Sequence, residues 1–160
     1  MQLSRFTDYC LRVLMYLSFR DGDRVTVDNI ATAYGISCSH LMKVVQHLAA
    51  AGYVQTVRGK GGGLSLARRP GLINLGEVIQ ECERELSIVE CLGARTSDCP
   101  LSPACVLRSA LKDAMRSFFG TLERYTLEDL VANKSIGAPL FRDLGGSHDR
   151  KVDRGSDQAI

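Results

Sequence analysis

The sequence predicts a mainly α-helical chain with one small β-hairpin, and three observations predict it. Trp is absent and aromatic residues make up only 6% of the 160 residues, although 45% are hydrophobic. The apolar material is therefore mostly aliphatic residues, Ala, Met and Cys, which suit helix packing. Apolar residues recur at three- and four-residue steps in several windows, the period of one helix face. One stretch departs from that period: two β-prone runs flank Arg58-Gly59-Lys60-Gly61-Gly62-Gly63. A chain of this size can bury roughly 70% of its extended surface, enough for a true core.

Ser4 caps a first helix whose apolar stripe is Phe6, Cys10, Val13, Leu14 and Leu17 and which ends near Asp21-Gly22. Thr26 caps a short second helix with Ile30, Ala31 and Tyr34 inward. Gly35 breaks it, and Ser37 caps a third helix carrying Leu41, Val44, Val45 and Leu48, stopped by Gly52. Two helices joined by a Gly-Ile-Ser turn form a helix-turn-helix pattern. The runs Tyr53–Val57 and Leu64–Ala67 then read as a hairpin wing. After Pro70-Gly71 a helix is predicted from Gly76 to about Glu83, followed by a loop between Cys91 and Cys105 that is rich in Gly, Ser, Thr and Pro.

From Val106 onward, Leu107, Leu111, Ala114, Phe118, Leu122 and Tyr125 step by 4, 3, 4, 4 and 3. This is a coiled-coil-like seam about 30 Å long. A helix exposing such a seam needs a twin, so a homodimer is expected. Thr126 and Asp129 form a capping-box-like restart for a last short helix to about Ala132. Past Ser135 the chain turns polar and is expected to be disordered.

Net charge is only +2, but it is unevenly distributed. Residues 1–76 hold nine Lys or Arg against four Asp or Glu, residues 77–134 hold seven against ten, and the remaining 26 are balanced. The basic first half calls for an anionic partner. No apolar run reaches 18 residues and the N-terminus lacks a basic-then-apolar leader, so the expectation is a soluble, cytoplasmic protein that meets no membrane.

On the third helix Ser39, His40, Lys43, Gln46 and His47 fall along one side, with Ser37 at its start. Donors on such a side can enter the major groove of double-stranded DNA, while Arg58 and Lys60 on the wing reach a phosphate or the minor groove. The glycine-rich wing lacks the Gly-Lys-Ser/Thr ending of a nucleotide-binding loop, and a strand follows it rather than a helix. There is no dinucleotide fingerprint and no acid–base constellation. The three histidines, His40, His47 and His148, lie on the third helix and in the tail. An enzyme is not expected.

Six cysteines in a chain expected not to be exported are not expected to make a disulfide framework. Cys10 and Cys82 fall on apolar stripes and read as small buried hydrophobes. Cys38, at the start of the third helix, reads as inert. Cys91, Cys99 and Cys105 share one loop that ends at a helix N-terminus, where thiolates are favoured. Their gaps of seven and five residues fit neither the tight pairs of structural zinc nor the ferredoxin run. They suit an iron–sulfur cluster that lacks a fourth cysteine, whose exposed iron would sense small molecules. Three loop thiols with redox or no chemistry, an electron-transfer or enzymatic iron–sulfur protein, and a cluster-free thiol- or zinc-dependent DNA-binding regulator are the alternatives. Asp8 reads from spacing alone as an i,i+4 partner of Arg12.

The opening Met1-Gln2-Leu3-Ser4-Arg5-Phe6-Thr7-Asp8-Tyr9, the stretch Tyr34-Gly35-Ile36-Ser37, the wing Val57–Leu64, the three loop cysteines and Tyr125–Val131 together resemble the winged-helix iron–sulfur regulators, specifically their nitric-oxide-sensing repressors. The likeness runs from Met1 to about Asn133. It implies a homodimer joined along its long helices and repression of nitric oxide detoxification genes, with nitric oxide as effector. It also implies a [4Fe-4S] or [2Fe-2S] cluster held by Cys91, Cys99 and Cys105 and by Asp8 of the other subunit. Some members take a histidine three residues after the last cysteine, where this chain has Arg108. Iron-responsive relatives share much of the pattern, so response to iron or cluster status is the second expectation. The expected organisation is a winged helix-turn-helix DNA-binding domain over 1–76, a cluster-binding loop and dimerisation helix over 77–134, and a disordered tail over 135–160.

Overall fold

Ser4 begins the first helix as its spacing predicts: its Oγ accepts a hydrogen bond from the Thr7 N–H at 3.1 Å, and α1 runs Arg5–Phe19. In the computed structural model, which describes residues 2–20, 22–59, 61–83, 88–93, 99, 101, 104–133, 135 and 137, α1 is buried on more than the predicted stripe. Thr7 and Tyr16 are as fully enclosed as Cys10, Val13 and Leu14, whereas Phe6 is only partly covered. A helix buried this broadly has neighbours on more than one side.

Helix α2 (Val27–Tyr34) opens with a reciprocal box. The Asn29 N–H donates to Thr26 Oγ1 at 3.2 Å, and the Thr26 N–H donates to Asn29 Oδ1 at 3.0 Å. It closes at Gly35, whose φ of 63° is the left-handed cap that a glycine adopts without strain. Helix α3 (Cys38–Ala50) buries Leu41, Val44, Val45 and Leu48. The two together are the predicted helix-turn-helix.

Strands β1 (Val54–Val57) and β2 (Gly63–Leu66) pair antiparallel, with Val54 opposite Leu66 and Val57 opposite Gly63. At the wing tip a side chain on Gly62 would collide with the Val57 carbonyl, so the turn requires glycine there. The wing is also pinned at its base. Leu64 N–H donates to Val25 O at 2.7 Å and Val25 N–H donates to Leu64 O at 3.1 Å, which ties β2 to the chain entering α2. One residue makes this bridge, too short a run to leave a periodic signal in the sequence.

Helix α4 spans Leu75–Cys82. It starts one residue before the predicted Gly76 because Asn74 caps it, its Oδ1 accepting from Glu77 N at 3.2 Å. Helix α5 covers Val106–Leu122, about 25 Å at 1.5 Å per residue. It is shorter than the predicted seam because Tyr125 lies beyond its end, where the Tyr125 carbonyl accepts from Leu75 N at 2.9 Å. The chain then doubles back into α6 (Leu127–Val131). The Thr126 N–H donates to Asp129 Oδ2 at 2.7 Å, completing the predicted restart, and this backbone donor holds the Asp129 carboxyl below its ordinary value.

The return places Leu127 in the same core as Leu14, Ile73, Val78 and Cys82. That core is continuous across α1, α3, α4 and α6. By contrast, α5 buries none of its residues, and Val106 and Leu107 are 82% and 64% exposed. The expected disordered tail lies, apart from residues 135 and 137, outside the described residues.

Asn74 joins the two ends of this arrangement, since its Nδ2 also donates to Glu123 O at 2.7 Å. Replacing it with alanine removes a cap and a tertiary hydrogen bond together. Asn74→Ala is expected to lower unfolding stability by about 2 kcal/mol in a urea titration, and a loss below about 0.5 kcal/mol would show that Asn74 does not fasten α4 to the end of α5.

Candidate functional site

Helix α3 has a sharp division between its faces. Opposite its buried residues, Ser39, Met42, Lys43 and Gln46 are exposed. Ser37 is the N-cap of α3 and makes no side-chain capping bond; its Oγ lies 3.3 Å from Ser39 Oγ, so the helix start presents two hydroxyls and unclaimed backbone donors. An anionic phosphate suits that end of a helix.

The histidines sit differently from one another. His40 is exposed, with its ring 6.4 Å from that of Tyr9 in α1. His47 turns away from the open face and packs edge-on against Phe6 at 5.2 Å, with Nε2 buried and without a hydrogen-bond partner. The expectation that His47 lines the exposed face is therefore corrected: it is half-buried at the margin, packed on the partly covered ring of Phe6 in α1. Met42 is the exposed residue that spacing alone passed over, because an apolar side chain on a helix reads as core.

Arg58 is exposed at the start of the wing tip. Lys60 lies outside the described residues. Arg68, just past β2, stacks on Tyr53 with its guanidinium 4.8 Å from the ring and donates to Ala51 O at 3.3 Å. It braces the turn from α3 into the wing, so wing and helix keep a fixed relation.

Cys38 opens α3 in an exposed position, where its Sγ donates to Asp28 Oδ1 at 3.1 Å. This bond to a carboxylate pushes the thiol above its ordinary value, in the direction of the protonated form. Cys10 and Cys82 are buried against one another. The hydrogen bond between them, reinforced by burial, pushes the Cys10 thiol up strongly.

The three loop cysteines occupy the stretch that leads into α5. Cys91 is half-buried in a short 3-10 turn, Glu90–Leu92, and its carbonyl accepts from Arg108 Nε at 3.1 Å. Cys99 is exposed, and Cys105 is the half-buried N-cap of α5. Arg108 thus fixes the turn carrying Cys91 to the same helix end that Cys105 caps, a link with no signature in the spacing.

Asp8, in the first turn of α1, pairs with Arg12 at 2.9 Å, with both side chains a little under half exposed. Such an i,i+4 pair contributes about 0.3–0.5 kcal/mol, so little holds the carboxylate there. The Arg12 guanidinium in turn lies 5.6 Å from the ring of Tyr34, whose phenol burial pushes up to about 12 against the opposing pull of Arg12. Among the described residues no three His, Cys, Asp or Glu side chains converge on one point. The donor chemistry nevertheless fits a soft metal group: three thiols that are not locked in the core, one at a helix N-terminus, with a carboxylate that is only weakly engaged.

The chain matches the Rrf2 family, described as an iron-dependent transcriptional regulator, over residues 3–133. It is 45% identical over 135 residues to the HTH-type transcriptional regulator NsrR of Bacillus subtilis, a match covering 84% of this chain and 92% of that protein. With the NsrR of Geobacillus kaustophilus it shares 42% identity over 147 residues, 91% of this chain and 100% of that one. Among solved structures it resembles CymR, the global cysteine regulator of B. subtilis, with a TM-score of 0.64 at 28% identity over 82% of this chain and 97% of that chain. IscR of T. potens gives a TM-score of 0.67 over 93% and 94%, at 24% identity, a likeness of fold. No described helix is long and apolar enough to cross a membrane.

Arg58 is exposed at the start of the wing tip, where a guanidinium can meet a phosphate whatever the base sequence. Arg58→Ala is expected to weaken binding to duplex DNA of any sequence and to reduce the slope of log affinity against log salt by about 1; fluorescence anisotropy across a salt series checks it, and an unchanged slope would remove Arg58 from the interface.

Proposed function

The chain belongs to the Rrf2 family of iron-dependent transcriptional regulators, and from that membership we propose that it is a homodimeric repressor whose operator binding is governed by an iron–sulfur cluster responsive to nitric oxide. The observation that carries this reading is the likeness to NsrR over 84–91% of the chain, in a span that holds both the exposed α3–wing surface and the three loop cysteines. It is a DNA-binding regulator and not an enzyme. A cytoplasmic location follows from its DNA partner.

Cys91, Cys99 and Cys105 are the thiolate ligands, and Asp8 of the other subunit is the fourth. When bound, an iron–sulfur cluster with one oxygen ligand supplies an iron atom open to attack by nitric oxide. The remaining work belongs to the chain. Cys105, as N-cap of α5, presents its sulfur where the helix dipole favours negative charge. Arg108 holds the Cys91 turn against that helix end. Asp8 stands between two calls on its carboxylate, the cluster across the dimer and Arg12 in its own helix.

Helix α1 couples Asp8 to DNA reading, because Phe6 and Tyr9, on either side of Asp8, lean on His47 and His40 of α3. A pull on Asp8 is therefore felt by α3 through ring contacts within the same turn of α1. Making or breaking the Asp8 ligand bond is then the two-state element that an allosteric switch requires. The exposed apolar residues of α5 supply the surface on which the second copy packs, and the dimer then offers two copies of α3 to half-sites roughly 34–36 Å apart or multiples of that spacing.

A second reading, control by iron or cluster status without nitric oxide, is favoured by the family's description as iron-dependent. Titrating the anaerobically purified protein with nitric oxide, while recording the visible spectrum and operator affinity, separates the two. Loss of affinity within a few equivalents of nitric oxide supports the sensor, and an affinity that follows only iron removal supports the second reading.

Two substitutions test the ligand assignments. Cys99→Ala is expected to reduce iron and sulfide per chain to background with the helical signal unchanged; undiminished iron and sulfide would exclude Cys99. Asp8→Ala is expected to keep the cluster but flatten the change in operator affinity on nitric oxide treatment, and an affinity change equal to that of the parent would count against Asp8.

A further inference from the structure

The open face of α3 consists of Ser39, Met42, Lys43 and Gln46, at i, i+3, i+4 and i+7, with the core residues Leu41, Val44, Val45 and Leu48 on the far side. Three of the four are polar: a hydroxyl, an ammonium and an amide. Met42 is the exception, an unbranched apolar side chain that is 63% exposed. A lone exposed apolar residue is ordinary on a protein surface, so its exposure alone carries nothing. Its neighbours and its element carry the inference.

Helix α3 is the second helix of the helix-turn-helix, the one that enters the major groove in this motif. The hydroxyl, ammonium and amide beside Met42 are the groups that hydrogen-bond to base edges and phosphates there. An apolar side chain in such a set has one counterpart on the groove floor, the C5 methyl of thymine. Gln46, one turn further along the same row, is suited to adenine, which it can meet with two hydrogen bonds. The thioether of Met42 is flexible and polarisable, so it can settle on a methyl group without a fixed approach angle.

We infer that Met42 is a specificity-determining residue that reads a thymine methyl in the major groove, setting a preference for an A·T pair beside the position addressed by Gln46. The inference rests on the DNA-binding reading above. Met42 owes nothing to the core, which leaves its identity open to selection by the operator.

The test uses the full-length, anaerobically purified protein and a duplex that it selects from a random-sequence pool. Each thymine of that duplex is replaced in turn by deoxyuridine, which lacks only the methyl, and affinity is measured at one fixed salt concentration. The expected result is a loss of roughly fourfold at one or two positions in each half-site, the effect of one buried methyl at about 0.8 kcal/mol. At those positions Met42→Ala binds thymine and uridine duplexes equally, while Met42→Leu keeps the difference. The same uridine penalty in the Met42→Ala variant as in the parent, or no uridine-sensitive position in the parent, overturns the assignment and leaves DNA binding intact. A parent that selects no duplex overturns the DNA-binding reading and this inference with it.

Discussion

Burial of α1 is the constraint on which the other elements depend. Cys10, Val13, Leu14 and Tyr16 have no exposed surface and Leu17 only 2%, and each large apolar side chain so enclosed contributes about 1.5–3 kcal/mol. No single neighbour can enclose a helix that widely. α3 and β2 pack on it, and so do α4 and α6. The first and last described helices are thereby locked into one body, although residues 20–126 separate them in the chain.

This central position gives α1 its leverage. Its first turn carries Asp8, and on either side of Asp8 the rings of Phe6 and Tyr9 meet histidines of α3. Its inner face meets α4, whose last residue, Cys82, touches Cys10. A rigid helix with its outer turn exposed and its body buried transmits displacement and does not absorb it, since a close-packed interior is poorly compressible. The weak Asp8–Arg12 pair is the adjustable part. It costs little to break, and what it releases is a carboxylate at the outer end of the most constrained element.

The opposite condition holds at α5. Seventeen residues form a helix with none of them buried, although most helical stability in proteins comes from packing an apolar face. Its apolar residues Val106 and Leu107 are exposed beside the cysteine-bearing turn. A helix in this state is stabilised by packing that a single chain does not supply, which fits a dimer built along it. The site and the subunit contact would then share one element, with Cys105 at its N-cap and the seam along its length.

The sequence alone determined which elements form. Apolar spacing gave α1, α2, α3, α5 and all but the first residue of α4, a capping box gave α6, glycine placement gave the wing, and cysteine spacing with the helix start at Val106 singled out three thiols from six. These are local properties, set by backbone propensity and by side chains within one turn of each other. What only the tertiary structure decided was non-local: the Val25–Leu64 bridge beneath the wing, the early start of α4 at an Asn74 that also binds Glu123, the return of Leu127 into the first core, and the tether from Arg108 to Cys91. It also decided which residues of α3 face outward, turning His47 onto Phe6 and leaving Met42 in the open. Each depends on a partner far away in sequence, and a period of 3.6 residues records only that a face is apolar, not what covers it.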